Sequence, residues 1–481
     1  MFPQPVFPQP SSGKTVASAP ARPGRTVRAR LASRFVALVS ALALMNLFSA
    51  PAHAQNQSLN LVRDAEIEHI LALYAKPVFQ AANLDTRVAR TYLVNDPSLN
   101  AFVAGGQRVF VFTGLILRTE LPRQLVGVLA HETGHIRGGH LSRTADALAN
   151  AQTVSIIAAL LGGLAAVAAG NGNAAGALIA GGSSAGTQLF LSYSRTQESA
   201  ADQASVVLME KAGWSPRGIV EFLRVLDEQD FLVGARASNS YMRTHPVSFE
   251  RIEALETRVA ASPLYDKADP PELVRAHNLM RAKLSGFVKD PKDILREYPM
   301  TDTSEVARYA RAVALMRLAR TDQALADIDV LIADNPDNAY FVELRGQILL
   351  EGGRVAESLP PLREAQDRIQ HAAVTTMLTQ ALISTNTPET DAEAQKLLEE
   401  VIRYENDNAG AWRQLALVHG RQGNRGMSLL AGAEQYFHSG QFDYAEEQAS
   451  RALTILPKAS PDYYRALDIQ NAVQTIRRRA R

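Results

Sequence analysis

"VGVLAHETGHIRGGHLSR", residues 126–143, sets His131 and His135 four positions apart around Glu132, then reaches a third histidine, His140, through Gly138-Gly139. On an α-helix, positions four apart share a face one turn apart, so His131 and His135 can present imidazole nitrogens to a single ion. Glu132 then stands beside that ion without being forced to coordinate it. A bound zinc brings the pKa of a water toward neutrality, and a carboxylate there can take its proton and pass it to a leaving amine. The preceding "LVGVLA" predicts a buried helix, where a His-Glu pair without a ligand would be costly. A metal site is the reading that satisfies these polar groups.

A catalytic zinc usually has three protein ligands and a water. His140 is a tempting third, because Gly138 matches the glycine of the longer HExxHxxGxxH pattern. That pattern would need its last histidine where Leu141 stands. On a continuing helix His140 is also rotated about 140° from His135, and so reads as a structural or rim histidine. A better source is "YSRTQESAADQASVVLMEKAGW", where Glu198 and Asp202 lie four apart and Ala200, Ala201 and Ala204 allow close helix packing. One carboxylate of such a pair can reach the metal while the other orients a liganding imidazole.

Working outward, 481 residues suggest two or three domains. Hydrophobic content of 46% with 21% charged residues is that of a globular protein, and a net charge of +1 exerts no general pull toward nucleic acid or anionic membrane. The absence of cysteine excludes disulfides, Cys-ligated zinc and thiol catalysis. A metal site must be built from His, Asp and Glu.

Residues 1–54 read as a signal peptide. Arg25, Arg28, Arg30 and Arg34 form a basic region, "FVALVSALALMNLFSA" an apolar one, and "AHA" a cleavage site that predicts a mature start near Ala54/Gln55. An exported, periplasmic location follows. Residues 55–262 read as one domain. It opens with an amphipathic helix carrying Ile67, Ile70, Leu71 and Tyr74 at helical spacing. A β-hairpin follows, Asn100, Ala101, Phe102, Val103 and Ala104 turning through Gly105-Gly106 into Val109 to Phe112. An exposed edge at residues 100–104 could take an extended peptide as an added strand. The Gly/Ala-rich segment 151–191 predicts a buried or site-covering helical hairpin, its glycines suiting a mobile cover, with membrane association of 154–169 or disorder as the alternatives.

"ASPLYDKADPPE" predicts a linker, bounded at 263–273, and residues 274–481 read as helical repeats. Ala324, Ser358, Ala394 and Ser428 recur at separations of 34, 36 and 34 positions, with Ile328, Leu362 and Leu398 each four residues on. A period of about 34 is that of tetratricopeptide helix pairs. Gly432, Ala433, Tyr436, Gly440, Ala445, Ala449, Ala452 and Pro457 fit one unit half a repeat out of register, so the helix spanning 427–437 should serve two pairs. The expected fold class is mainly α: a zincin-like metalloprotease domain with a small β-hairpin or sheet, followed by a tetratricopeptide solenoid. The solenoid carries no catalytic constellation and reads as a binding scaffold.

"HETGH", the downstream "ESAAD" and the later "THPVSFERI" together resemble the gluzincin peptidases of the HtpX and CAAX-prenyl protease type. The resemblance implies zinc held by His131, His135 and Glu198, Glu132 as general base and acid, and Asp202 behind the ligands. With the helix-pair module following, the combination is similar to members that act at the outer membrane beside the machinery inserting β-barrels. That implies misassembled or unfolded outer-membrane proteins as substrates, and the assembly machinery as partner of the repeats. A chaperone or assembly adaptor with a latent metal site is the competing reading. His245, before Pro246, is a candidate either for donating to the developing oxyanion or for occupying the open metal position. Arg251 is a weaker candidate for the first role or for pairing with Asp202.

Overall fold

The structure, a computed structural model, describes residues 60–140, 185–233, 245 and 249–479. The expected signal peptide and residues 151–184 of the expected cover lie outside that set. The last part of that segment, from Ala185, forms the start of a helix. Among the described residues no helix is long and apolar enough to cross a membrane.

The first helix, α1 (Ala65–Ala81), begins where Asp64 accepts a hydrogen bond from the Ile67 amide at 2.9 Å. Its Ile67, Ile70, Leu71 and Tyr74 are all buried in the core of the first domain, as their spacing predicts. The hairpin is present as β3 (Ala101–Ala104) and β4 (Arg108–Phe112), with Phe102 opposite Phe110. Gly105 and Gly106 turn it at φ of 57° and 93°, the left-handed region that glycine enters without strain.

Two further strands are not visible in local pattern. β2 (Arg90–Val94) pairs in parallel with β4, and β1 (Leu61–Val62) pairs with β2, so the sheet order is β1-β2-β4-β3. Side chains alternate across it: Leu93, Val103, Val109 and Val111 face the main core, while Tyr92, Phe102, Phe110 and Phe112 stack on the other face.

After the short α2 (Thr113–Arg118), the HETGH helix α3 (Pro122–Arg137) starts at a proline, where no amide is needed, and Gln124 caps the amides of Glu120 and Leu121. It lies between α4 (Ala185–Lys211) and α5 (Arg217–Val233). Two glycines set those approaches. A Cβ on Gly134 would stand 3.0 Å from the Ala201 carbonyl of α4, and one on Gly127 would stand 2.7 Å from the Ile219 amide of α5. Close contact at Gly134 is what brings the Glu198 and Asp202 turn against His131.

Helix α6 (Phe249–Ala260) completes the domain. The stretch expected as a linker is pinned rather than tethered. Ser215 donates to the Tyr265 carbonyl at 2.7 Å, and Asp269 accepts from the Arg123 amide at 3.1 Å. Helix α7 (Pro271–Val288) starts within that stretch and packs on α1, α2 and α3.

Helical hairpins follow: α8 (Pro291–Glu297), α9 (Glu305–Arg317), α10 (Thr321–Asp334), α11 (Ala339–Glu351), α12 (Val355–Ile369), α13 (Ala372–Ser384) and α14 (Pro388–Tyr404). The series ends with α15 (Ala409–Arg421), α16 (Arg425–His438), α17 (Phe442–Leu453) and α18 (Pro461–Arg479). The repeat positions Ala324, Ser358, Ala394, Ile328, Leu362 and Leu398 are fully buried between them. Helix α16 packs on both α15 and α17, as each helix of the train packs on its sequence neighbours.

The first described residues of the first domain dock on these helices. Arg63 pairs with Glu405 at 2.9 Å, His371 lies 3.4 Å from Glu68, and Ala65 packs with Ala365 and Val374. Beneath them Lys283 of α7, fully buried, lies 2.8 Å from Asp64 and 3.4 Å from each of Glu66 and Glu343.

Candidate metal centre

His131 and His135 leave α3 on one face, as their spacing requires, and their Nε2 atoms stand 3.1 Å apart. Glu198 of α4 closes a triangle, with Oε2 3.3 Å from His131 Nε2 and Oε1 3.2 Å from His135 Nε2. His245 arrives from another segment with Nδ1 3.1 Å from Glu198 Oε1 and 3.4 Å from His131 Nε2. The four residues present ligand atoms within 4.8 Å of one another.

These residues fit a metal ion on two grounds. Imidazole and carboxylate are zinc-type donors, and bonds of about 2.0–2.1 Å in a tetrahedral site put neighbouring donors about 3.3 Å apart. The observed spacings among His131, His135 and Glu198 have that size. In addition Glu132 is 1% exposed, and its Oε1 has His245 Nε2 at 3.4 Å but no hydrogen bond of good geometry among the described residues, a condition in which a buried carboxylate oxygen calls for a water or substrate proton.

Behind the triangle the groups are held from outside. Asp202 Oδ1 stands 3.1 Å from His131 Nδ1. Arg251 of α6 grips Asp202 with two hydrogen bonds, Nε to Oδ2 at 2.9 Å and a terminal nitrogen to Oδ1 at 3.0 Å, and also lies 3.2 Å from Glu198 Oε2. Of the two roles open to Arg251 from sequence, the structure brings it to the Asp202 pair. Of the structural and rim positions open to His140 from sequence, the structure gives a buried one: its Nδ1 stands 3.0 Å from Nδ1 of His135, and it is 7% exposed. It reaches that place because α3 ends at Arg137 and Gly139, at φ 61°, turns the chain back.

Burial pushes the His131 imidazolium down, but Asp202 and Glu198 outweigh it and raise it to about 10, while burial prevails at His135 and lowers it to about 3. Burial would raise Glu198, yet the imidazoles of His245, His131 and His135 hold it well below the usual carboxylate range. Glu132 moves the other way, raised chiefly by burial. A carboxylate ligand kept ionised and a neighbouring carboxyl kept easier to protonate are opposite conditions for two acids a few ångströms apart. They suit a ligand and a proton carrier respectively.

Residues 62–259 match the family model described as Peptidase family M48. The chain is similar to the beta-barrel assembly-enhancing protease of Escherichia coli (strain K12), at 26% identity over 368 residues that cover 75% of this chain and 73% of that protein. The protein of the same name from Yersinia pestis is 27% identical over 367 residues, 74% of this chain and 72% of its own. The mitochondrial metalloendopeptidase OMA1 of Schizosaccharomyces pombe is 32% identical over 165 residues, 34% of this chain and 45% of its own.

Proposed function

We propose that this chain, a metallopeptidase carrying a peptidase family M48 domain over residues 62–259, is an exported zinc endopeptidase that cuts misassembled or unfolded outer-membrane proteins. The observation that carries the chemistry is the buried triangle of His131, His135 and Glu198 with the buried Glu132 carboxyl beside it. When bound, one zinc ion per chain supplies Lewis acidity and a water of lowered pKa. The protein's part is to hold the ligands and move the proton. Glu132 takes the proton of the attacking water at its carboxylate and delivers it to the nitrogen of the leaving amine. Asp202 steadies His131 from behind, and Arg251 ties Asp202 and Glu198 together so that both helices keep one register.

Residues 100–104 are the favoured substrate edge. β3 is the last strand of the sheet, packs beside α3, and pairs with no strand on its outer side among the described residues. An extended chain added there reads backbone more than side chain, which suits unfolded clients. Val103→Pro should raise KM several-fold with little change in kcat, and an unchanged KM would remove the edge from the site.

His245 supports a second reading, a latent resting state. A catalytic zinc keeps one position open, and the His245 imidazole converges on the same point as the three ligands, its Nε2 3.4 Å from Glu132 Oε1. His245→Ala is expected to increase cleavage of an unfolded substrate, whereas a loss of kcat would assign His245 to oxyanion stabilisation.

The periplasm as location and the outer-membrane assembly machinery as partner rest on the relatives' name and on the leader-like residues 1–54. The repeats, with no metal-binding cluster among their described residues, are the surface for recruiting machinery or client. The decisive assay is digestion of an unfolded outer-membrane β-barrel polypeptide by the purified mature chain. Activity should vanish with a zinc chelator and return with one equivalent of zinc per chain. Digestion that survives complete zinc removal would end this reading and leave the adaptor alternative.

A further inference from the structure

We propose that His140 is a positioning residue for the metal centre, and that Gly138-Gly139 is the device that returns it to His135. This rests on the metal reading of the site. His135 directs Nε2 toward His131 and Glu198, at 3.1 and 3.2 Å, so as a ligand it offers its lone pair there. A neutral imidazole in that state carries its proton on Nδ1. That Nδ1–H meets His140 Nδ1 at 3.0 Å, the two rings standing edge to face with centroids 5.0 Å apart and planes at 79°. His140 Nδ1 therefore accepts, and its own proton sits on Nε2.

The arrangement parallels the one at His131, where Asp202 stands behind the distal nitrogen at 3.1 Å. Each histidine ligand is thus backed by a fixed group on the nitrogen that does not face the site. Such a partner fixes both tautomer and ring orientation, and losing one commonly weakens metal binding 10–100-fold.

The turn is shaped for this contact at both glycines. A Cβ on Gly138 would fall 2.3 Å from His140 Nε2 and 2.7 Å from its Cδ2, so the ring folds over this residue only because it has no side chain. Gly139 adopts φ 61° with nothing within 4 Å of its Cβ position; there the requirement is the left-handed backbone itself. One glycine reverses the chain and the other makes room for the ring.

The test is zinc affinity of the purified chain, by competition with a chromophoric chelator, together with the visible spectrum of the cobalt(II)-substituted protein. His140→Phe fills the space without accepting a hydrogen bond and should bind zinc about 10–100-fold more weakly, with an altered cobalt spectrum. His140→Asn places an amide oxygen near the position of Nδ1 and should recover most of the affinity. Gly138→Ala keeps His140 but displaces its ring, and should weaken binding as His140→Phe does. His140→Phe with wild-type affinity and spectrum would overturn the proposal, as would Asn performing no better than Phe. Should the Phe variant not fold, wild-type affinity in Gly138→Ala would overturn it equally. A wild-type chain that binds no zinc would instead sink the metal reading itself.

Discussion

Glu132→Gln should leave a folded, zinc-loaded protein whose peptide-bond cleavage is lost. Glutamine keeps the shape of a side chain that is 1% exposed, and none of the three proposed ligands, His131, His135 and Glu198, is altered. What disappears is the carboxyl proposed to carry a proton between water and the leaving nitrogen. General acid–base catalysis contributes about 10²–10⁴-fold, and one residue serving both steps belongs at the upper end. The measurement pairs metal content and thermal stability, both expected near wild type, with kcat on an unfolded β-barrel polypeptide. Retained turnover would remove Glu132 from the mechanism. The same variant separates the two biological readings: rescue of an outer-membrane assembly defect by Glu132→Gln would favour the adaptor.

The largest stability effect should come from Lys283→Met at the junction between peptidase domain and repeats. One buried ammonium there faces Asp64, Glu66 and Glu343, and Tyr309 donates a hydrogen bond to Glu66. Removing one partner of a buried ion pair costs about 3–5 kcal/mol, because the opposing charges stay behind in a poor solvent. For a unit of this size that is a fall in Tm of roughly 3–6 °C. Methionine fills similar volume, so little of the loss is packing.

The sign of its pH dependence follows from the same cluster. Burial, with Asp64 and Glu66 nearby, pushes Glu343 up to about 7 despite the attraction of Lys283, and Glu66 is raised by burial too. A carboxyl raised in the folded state adds stability that is present below its unfolded value and is lost as pH rises through the folded one. Without the ammonium these carboxyls rise further, so the folded variant can neutralise them in mild acid. The Tm deficit of Lys283→Met should therefore be smaller at pH 5.5 than at pH 8. A deficit independent of pH would mean that the cluster's charge is not what holds the junction.

Local pattern was a good guide wherever the interaction is local. The helical spacing of Ile67, Ile70, Leu71 and Tyr74 predicts the buried face of α1, and the Gly105-Gly106 turn predicts the β3–β4 pairing. β2 escaped because a parallel neighbour is joined through no short turn, and five residues of strand leave little periodicity. The place of His140 was left open between a structural and a rim position, and the structure puts its ring, outside the ligand triangle, behind His135 where the Gly138-Gly139 turn ends α3.

By itself the sequence determined that this chain carries a helix presenting two histidines on one face, a hairpin and a train of helix pairs, because each is written in residues within a few positions of one another. It also named Glu198 and Asp202 as a pair, through their spacing on one helix face. Only the tertiary structure decided that Glu198 meets both histidines while Asp202 stands behind His131, that Arg251 joins the two carboxylates, and that His245 closes the cluster. It alone set Lys283 among acids from the chain's beginning and from its repeats. Those contacts span tens to hundreds of residues, and their partners are selected by how closely helices approach. Gly134 beneath Ala201 permits one such approach, and no local period records it.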